Sequence, residues 1–406
     1  ARYGRTAVLH AGAAKALEEG GPESAGRRGR HLLAAGHLAE AVAPLVDGLG
    51  HAVGRGDPDA ELLLEAARDA MRRASVREND PSAIDLLRHE ATLAQARLDG
   101  ASIARIAKQM LDVAERHGLP KLAIHGNLTL AAAYRLLNRH RDAVPLLQAA
   151  SVMARVDGAS HLLVRILHLL GTVQRELGRL ERAEAAIRDG MRVAVAEDVR
   201  DLRNALEIGL VAILVHRGVL DEAEERITKV LDRMGPDEAS RGKALMLHGE
   251  VLRHRSDLSG ARMAYEQSRR HYLSLGRDGQ ALFPALNGAM VRVLENRFAE
   301  AESEARDVLR GFQERRADLG QVFAHAVILP CVAATGRWGA FDRSLTHIEE
   351  RVAADGVADA DVAFLLARAA RFARQAGRAV RGKAAMDVAR DQFRRLGRDD
   401  DAERLS

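Results

Sequence analysis

Apolar residues recur along this chain at helical spacing, and short polar turns interrupt them at regular distances. A small residue returns at one phase of this pattern: Ala143, Ala183, Ala223, Ala261 and Ala301, at intervals of 40, 40, 38 and 40 residues. Each follows a tight turn: Asn138-Arg139-His140, Gly178-Arg179-Leu180, Gly218-Val219-Leu220, Ser256-Asp257-Leu258 and Asn296-Arg297-Phe298. Two closely packed helices require a small side chain where they touch. Self-similarity at this period therefore predicts a stack of helical hairpins, an architecture that binds rather than catalyses.

The pattern before the regular array predicts helices over 5–19, 23–35 and 38–53, separated by Gly20-Gly21-Pro22 and Gly36-His37. Gly56-Asp57-Pro58 and Asn79-Asp80-Pro81 each open a further helix, with Asp80 placed to cap the second. Asp99-Gly100 leads into a helix over 102–117, and Gly118-Leu119-Pro120 opens the next hairpin. Beyond it the expected boundaries are Gly158, Asp201, Gly235-Pro236, Gly276, Gly320, Gly356 and Gly397. Short linkers make sequential helices antiparallel neighbours. The chain divides into a divergent helical segment 1–56, irregular helical pairs 57–118, a regular array 119–396 and a C-terminal tail 397–406.

Composition sharpens this all-α reading. Of 406 residues 47% are hydrophobic but only 3% aromatic, so Ala, Leu and Val build the core. A solenoid accommodates this length because each repeat touches only its neighbours. The 61 basic and 57 acidic residues leave a net charge of +4 and are interspersed, as in Arg179-Leu180-Glu181-Arg182-Ala183-Glu184. That is a solvated helix face and argues against a nucleic-acid partner. The single Cys331 lies in an apolar run and reads as a small core residue. No apolar stretch reaches the roughly 18 residues of a membrane span, so a cytoplasmic location without membrane contact is expected.

One unit carries a family resemblance. Leu167, Leu170, Gly171 and Gln174 precede the turn at Gly178, and Ala183, Ile187 and Gly190 follow it. The tetratricopeptide consensus has a large residue, Leu, Gly and Tyr, then Gly, then Ala, Phe and Ala at these positions. Tyr134, Ala143 and Ala150 fit in a second unit, and Gly249, Ala261 and Tyr265 in a third. The unit at Gly336-Arg337-Trp338 departs, with Phe341 where Ala is expected and Pro330 inside its first helix, where a kink is expected. Residues 80–395 thus resemble a tetratricopeptide-like (TPR-like) array with repeats extended to about 40 residues. The resemblance implies an α-solenoid of antiparallel helix pairs wound into a right-handed superhelix.

A second resemblance lies at the start. Ala7-Val8-Leu9-His10, Ala16-Leu17-Glu18 and His31-Leu32-Leu33-Ala34-Ala35-Gly36 are similar to the segment after the ATPase and winged-helix domains of bacterial signal-transducing ATPases of the STAND type. Arg30 stands where that pattern often has a second His. The resemblance implies that the chain is the sensor part of a longer protein carrying an ATPase or kinase.

Other motifs dissolve on inspection. Gly377–Lys383 matches the spacing of a phosphate-binding loop, but Ala384 replaces the hydroxyl residue and a helix, not a strand, is predicted before it. His161 and His168 lie seven apart on one helix, about 10 Å, too far to share a zinc ion. His89-Glu90 lacks the second His of a zinc-protease motif. No catalytic residue, cofactor or metal site is expected. The phase of the repeat instead assigns a concave wall to His125, Arg135, Arg165, His168, Thr172, Arg175, Glu250 and Arg253. An Arg-rich groove suits carboxylates or an acidic peptide through bidentate contacts. The expected function is recognition of a protein, peptide or other ligand by a regulatory region of a bacterial signalling ATPase or Ser/Thr kinase. A free-standing interaction scaffold and a peptide-sensing regulator of the quorum type are the alternatives.

Overall fold

Left-handed turns at a fixed phase set the architecture. In the computed structural model, which describes residues 2–405 except 201, 237, 239, 356 and 357, the described residues form twenty-one α-helices and no strand. The divergent segment holds α1 (Arg2–Ala16), α2 (Pro22–Ala35) and α3 (Leu38–Arg55). Next come α4 (Ala60–Arg73), α5 (Pro81–Ala96) and α6 (Gly100–His117). The array continues with α7 (Pro120–Leu136), α8 (His140–Val156), α9 (Ser160–Glu176), α10 (Leu180–Ala196), α11 (Arg203–His216) and α12 (Leu220–Arg233). Then follow α13 (Arg241–His254), α14 (Leu258–Ser274), α15 (Asp278–Leu294), α16 (Phe298–Glu314), α17 (Asp318–Ala334) and α18 (Trp338–Asp355). α19 (Ala360–Gln375), α20 (Ala379–Arg395) and the short α21 (Asp399–Arg404) close the chain. The expected boundaries Asp201 and Gly356 lie outside the described residues.

Within each hairpin the second residue past the first helix is left-handed: Asn138, Gly178, Gly218, Ser256, Asn296, Gly336 and Gly377 have φ of 56°, 72°, 73°, 66°, 62°, 72° and 71°. The next amide then donates back five residues into the helix, as Arg179 does to Gln174 O at 2.9 Å and Arg297 does to Arg292 O at 2.8 Å. This closes the helix end and aims the following helix back along it. The recurrent Ala143, Ala183, Ala223, Ala261 and Ala301 are all fully buried at the contact so formed.

Gly320 is not a boundary. It lies inside α17, where an added Cβ would stand 2.4 Å from the Phe312 ring. The turn instead falls at Arg315-Arg316-Ala317, with Arg316 at φ 51°. An arginine adopting the left-handed conformation hid this turn from a search for glycine. α17 runs unbroken through Pro330 to Ala334, buried from Val322 to Ala333 on most faces between α15 and α19. Phe341 is fully buried and packs edge-on against Trp338 at 5.8 Å, so the larger side chain fills the space that Ala leaves elsewhere. Cys331 is buried, its thiol donating to Val327 O at 3.3 Å.

The stack winds back onto itself. An added Cβ at Gly56 would meet Leu275 O at 2.0 Å, and one at Gly276 would meet Gly56 O at 2.3 Å, so these two loops touch backbone to backbone. The loop at Gly178 likewise approaches Leu396 O, at 3.0 Å from an added Cβ. In both seams the partners are eleven helices apart, which is therefore one turn of the superhelix. Among the described residues no helix is long and apolar enough to cross a membrane.

Candidate functional site

The first helices of successive hairpins, α7, α9, α11 and α13, pack side by side and present one face inward. Arg135, Arg175 and Arg253 hold the same place on that face, each eight residues before its repeat's Ala. Glu176 binds the first two together. Its Oε1 accepts from Arg135 at 3.0 Å and lies 3.5 Å from Arg175, while its Oε2 lies 3.1 Å from His140 Nε2. Burial alone would raise this carboxyl, but Arg135, His140 and Arg175 outweigh it and hold Glu176 well below the usual carboxylate range. Arg175 also donates to His216 Nε2 at 3.2 Å, and His216 Nδ1 donates to Ala212 O at 2.9 Å. That pairing fixes a neutral ring, and desolvation followed by Arg175 lowers the His216 pKa to about 4.

α13 adds Lys243, Glu250 and Arg253. Lys243 stands within electrostatic reach of Arg135, Arg175 and Glu176, and among the described residues it makes no ion pair or hydrogen bond. Burial, then Arg135 and Arg175, push its ammonium down to about 8. His168 borders the same group; burial, then Lys243 and Arg135, lower it to about 3, and its Nε2 has no partner. Glu250 is also unpartnered among the described residues, and burial raises it to about 7 against the pull of Arg253.

Arg253 reaches across the interior. Its guanidinium donates twice to Asp361 of α19, at 3.1 and 2.9 Å, although the two residues are 108 apart in sequence. α19 lies six helices beyond α13, a little over half a turn, so this bidentate pair spans the superhelix and pinches it. Asp359 caps α19 by accepting from Asp361 N and Val362 N at 2.9 and 3.0 Å; burial, then Asp361, raise it to about 6. Gly249 has no side chain, and the Tyr265 ring of α14 fills that gap, 2.6 Å from where a Cβ would stand. Tyr265 is 1% exposed, and its hydroxyl stands beside Arg253, with Glu250 and Asp361 around it, without a well-formed hydrogen bond.

The eight residues assigned from the repeat phase thus divide. Arg135, His168, Arg175, Glu250 and Arg253 come together with Lys243 and Glu176. Thr172 spends its hydroxyl on His168 O at 3.0 Å. His125 and Arg165 belong to a separate neighbourhood with Arg88, Asp85 and His161, where burial and these cations lower His125 to about 4. Lys243 was legible: it sits eighteen residues before Ala261, the same offset as His125 from Ala143 and Arg165 from Ala183. Glu176 and His216 lie one step off the phase of Arg135 and Arg175, His140 opens the second helix of its hairpin, and Asp359 and Asp361 face the site only because the superhelix turns.

A cavity of about 490 Å³ opens elsewhere, between α14 and α16 over Pro284, Ala285 and Gly288. Two of its three arginines are already engaged, Arg270 with Glu266 at 2.8 Å and Arg292 with Glu304 at 2.5 Å. The phosphate-loop look-alike is a helix–turn–helix: α19 ends before it, Gly377 takes the left-handed turn and α20 begins at Ala379. Among the described residues no group of three or more metal-ligating side chains gathers.

No family model matches the chain, and no curated protein matches it in sequence. Solved structures do match in shape. A Rap protein complexed with Competence and Sporulation Factor is similar over 89% of this chain and 99% of its own, at 12% identity and a TM-score of 0.62. The Rap conjugation gene regulator of plasmid pLS20, in complex with the Phr* peptide, covers 86% of this chain and 95% of its own, at 12% identity and TM-score 0.54. NprR with its cognate peptide NprX covers 86% and 98%, at 13% identity and TM-score 0.51. A Pyrococcus horikoshii signal-transduction ATPase with a tetratricopeptide repeat sensor overlaps 96% of this chain and 56% of its own, at 13% identity and TM-score 0.44. Helix pairs, repeat phase and the likeness to the Rap and NprR structures together make the chain a tetratricopeptide-like α-solenoid.

Proposed function

We propose that this chain is the sensing region of a regulator, and that it takes an extended peptide into the concave face formed by α7, α9, α11 and α13. The observation that carries this reading is the unspent charge of that face. Arg135 and Arg175 share one carboxylate, Lys243 makes no direct ion pair among the described residues, and buried His168 Nε2 is unsatisfied. An unpaired buried polar group costs about 1–3 kcal/mol, and a ligand carboxylate would relieve several at once. The plasmid pLS20 Rap regulator and NprR, of similar fold and each holding a peptide, support a peptide as occupant.

Binding would be read out as shape. Each repeat contacts only its neighbours apart from the seams, so modest binding energy shifts the curvature of the array. The Arg253–Asp361 pair is the tie across the interior on which such a shift would act. In this reading the segment resembling signal-transducing ATPases joins the sensor to its effector. Titration calorimetry with pooled short peptides tests the ligand, and Lys243→Met tests its place. Micromolar heats that the variant abolishes support the reading; the absence of binding by peptides of any length refutes it. An ATPase or kinase encoded in frame before Ala1 would support the regulatory half.

A further inference from the structure

Resting on that reading, we propose that the site recognises both ends of a short free peptide: its terminal carboxylate at Lys243, Arg135 and Arg175, and its terminal ammonium at Glu250, Asp359 and the Tyr265 hydroxyl.

The argument starts on one helix. Lys243 and Glu250 are seven residues apart on α13, almost two whole turns, so they share a face about 10 Å apart. The lining changes sign between them. Around Lys243 stand Arg135 and Arg175; of the two carboxylates within electrostatic reach, Glu176 is shared among Arg135, Arg175 and His140, and Glu250 lies two turns further along the helix. That end carries surplus positive charge and an unsatisfied imidazole nitrogen on His168.

Around Glu250 the balance is reversed. Asp359 and Asp361 face it; of the two cations within reach, Arg253 is held by Asp361 in a two-bond clasp and Arg175 is engaged with Glu176 and His216. Asp359 uses Oδ1 for both of its helix-capping bonds. The independent sign of a missing ligand is Tyr265: almost wholly buried, pushed through the gap that Gly249 leaves, its hydroxyl ends among these carboxylates beside Arg253, without a well-formed hydrogen bond to any of them. An ammonium group offers three donors to acceptors of this kind and neutralises the surplus negative charge. Burial holds Glu250 at about 7, as expected for an acid whose cation is absent.

The spacing sets the length. An extended chain advances about 3.3–3.6 Å per residue, so about three to four residues carry a carboxylate and an ammonium about 10 Å apart. A longer peptide would contribute an acidic and a basic side chain instead, and chemical capping separates these two sources.

The test uses the whole chain. A randomised pool of free-ended tetrapeptides is passed over the protein, and the retained sequences are identified by mass spectrometry. They are then resynthesised free, C-amidated and N-acetylated and titrated by calorimetry. Each cap is expected to weaken binding about tenfold or more, the scale of a lost charge-assisted contact. In Lys243→Met, acid and amide should bind alike; in Glu250→Gln, amine and acetamide should bind alike. If peptides bind and either cap changes affinity less than twofold in the wild-type protein, two-ended recognition is overturned while the peptide reading stands. If peptides of other lengths bind and tetrapeptides do not, this inference falls alone; if none binds, both fall. The capping comparison needs no variant, so misfolding of a mutant leaves the outcome intact.

Discussion

Replacing Glu250 by Gln should stabilise the ligand-free protein while impairing its recognition of an amine. The carboxyl is half-buried without a partner, and burial raises it from 4.5 to about 7. Below pH 4.5 it is protonated in both folded and unfolded chains and contributes nothing. As pH rises from about 4.5 to about 7, the unfolded chain gives up the proton first, so stability falls; above about 7 the whole penalty is present. The displacement corresponds to at most about 3 kcal/mol, and residual hydration reduces this to about 1–2 kcal/mol. In a chain of this size that is about 1–3 °C in melting temperature. Thermal melts of both proteins at pH 4.5, 6 and 8 check it. The variant should melt higher at pH 8, and the difference should vanish at pH 4.5. Comparing the two proteins cancels the histidines, which titrate in the same range. A variant less stable at pH 8, or a difference independent of pH, would refute the premise that Glu250 is an unpaired buried acid.

Other outcomes follow from the same coordinates. Asp361→Asn should free Arg253, which is 11% exposed, from its tie across the interior; with Asp361 itself 43% exposed the cost is about 1–2 kcal/mol. The variant should show a larger radius of gyration in solution scattering, and an unchanged radius would remove the tie from the account. His125, His168, His216 and His325 are lowered to about 4, 3, 4 and 4, so each is neutral when folded and protonates more readily unfolded. Stability should therefore be complete above about pH 6.5 and decline as pH falls towards 4, visible as a falling melting temperature that His168→Gln lessens. Gly249→Ala would gain about 1 kcal/mol in an open helix, but here the Cβ meets the Tyr265 ring at 2.6 Å. A net loss of about 1–3 kcal/mol in urea titration is expected, and a gain would mean that Tyr265 moves freely. Ala183→Leu, at a fully buried helix contact, should cost a similar amount by the same assay.

The repeat was legible because its causes are local. Small residues at Ala143, Ala183 and Ala223, left-handed residues at Gly178 and Gly218, and apolar spacing each act within one hairpin or between neighbours, and such constraints print a period on the chain. The turn at Arg316 was missed because its signal is a conformation, not a residue type. The wall was half-legible: phase placed Arg135, Arg175 and Arg253 on one face, since a fixed offset in each helix gives a fixed direction. What the sequence alone did not determine is which positions on that face meet. His125 and Lys243 hold the same offset yet lie in different neighbourhoods. Arg253 finds Asp361, and Gly56 finds Gly276, only after small rotations between successive hairpins have summed to part or all of a turn. No stretch of chain encodes that sum, so the tertiary structure decided which charges would be paired and which left open.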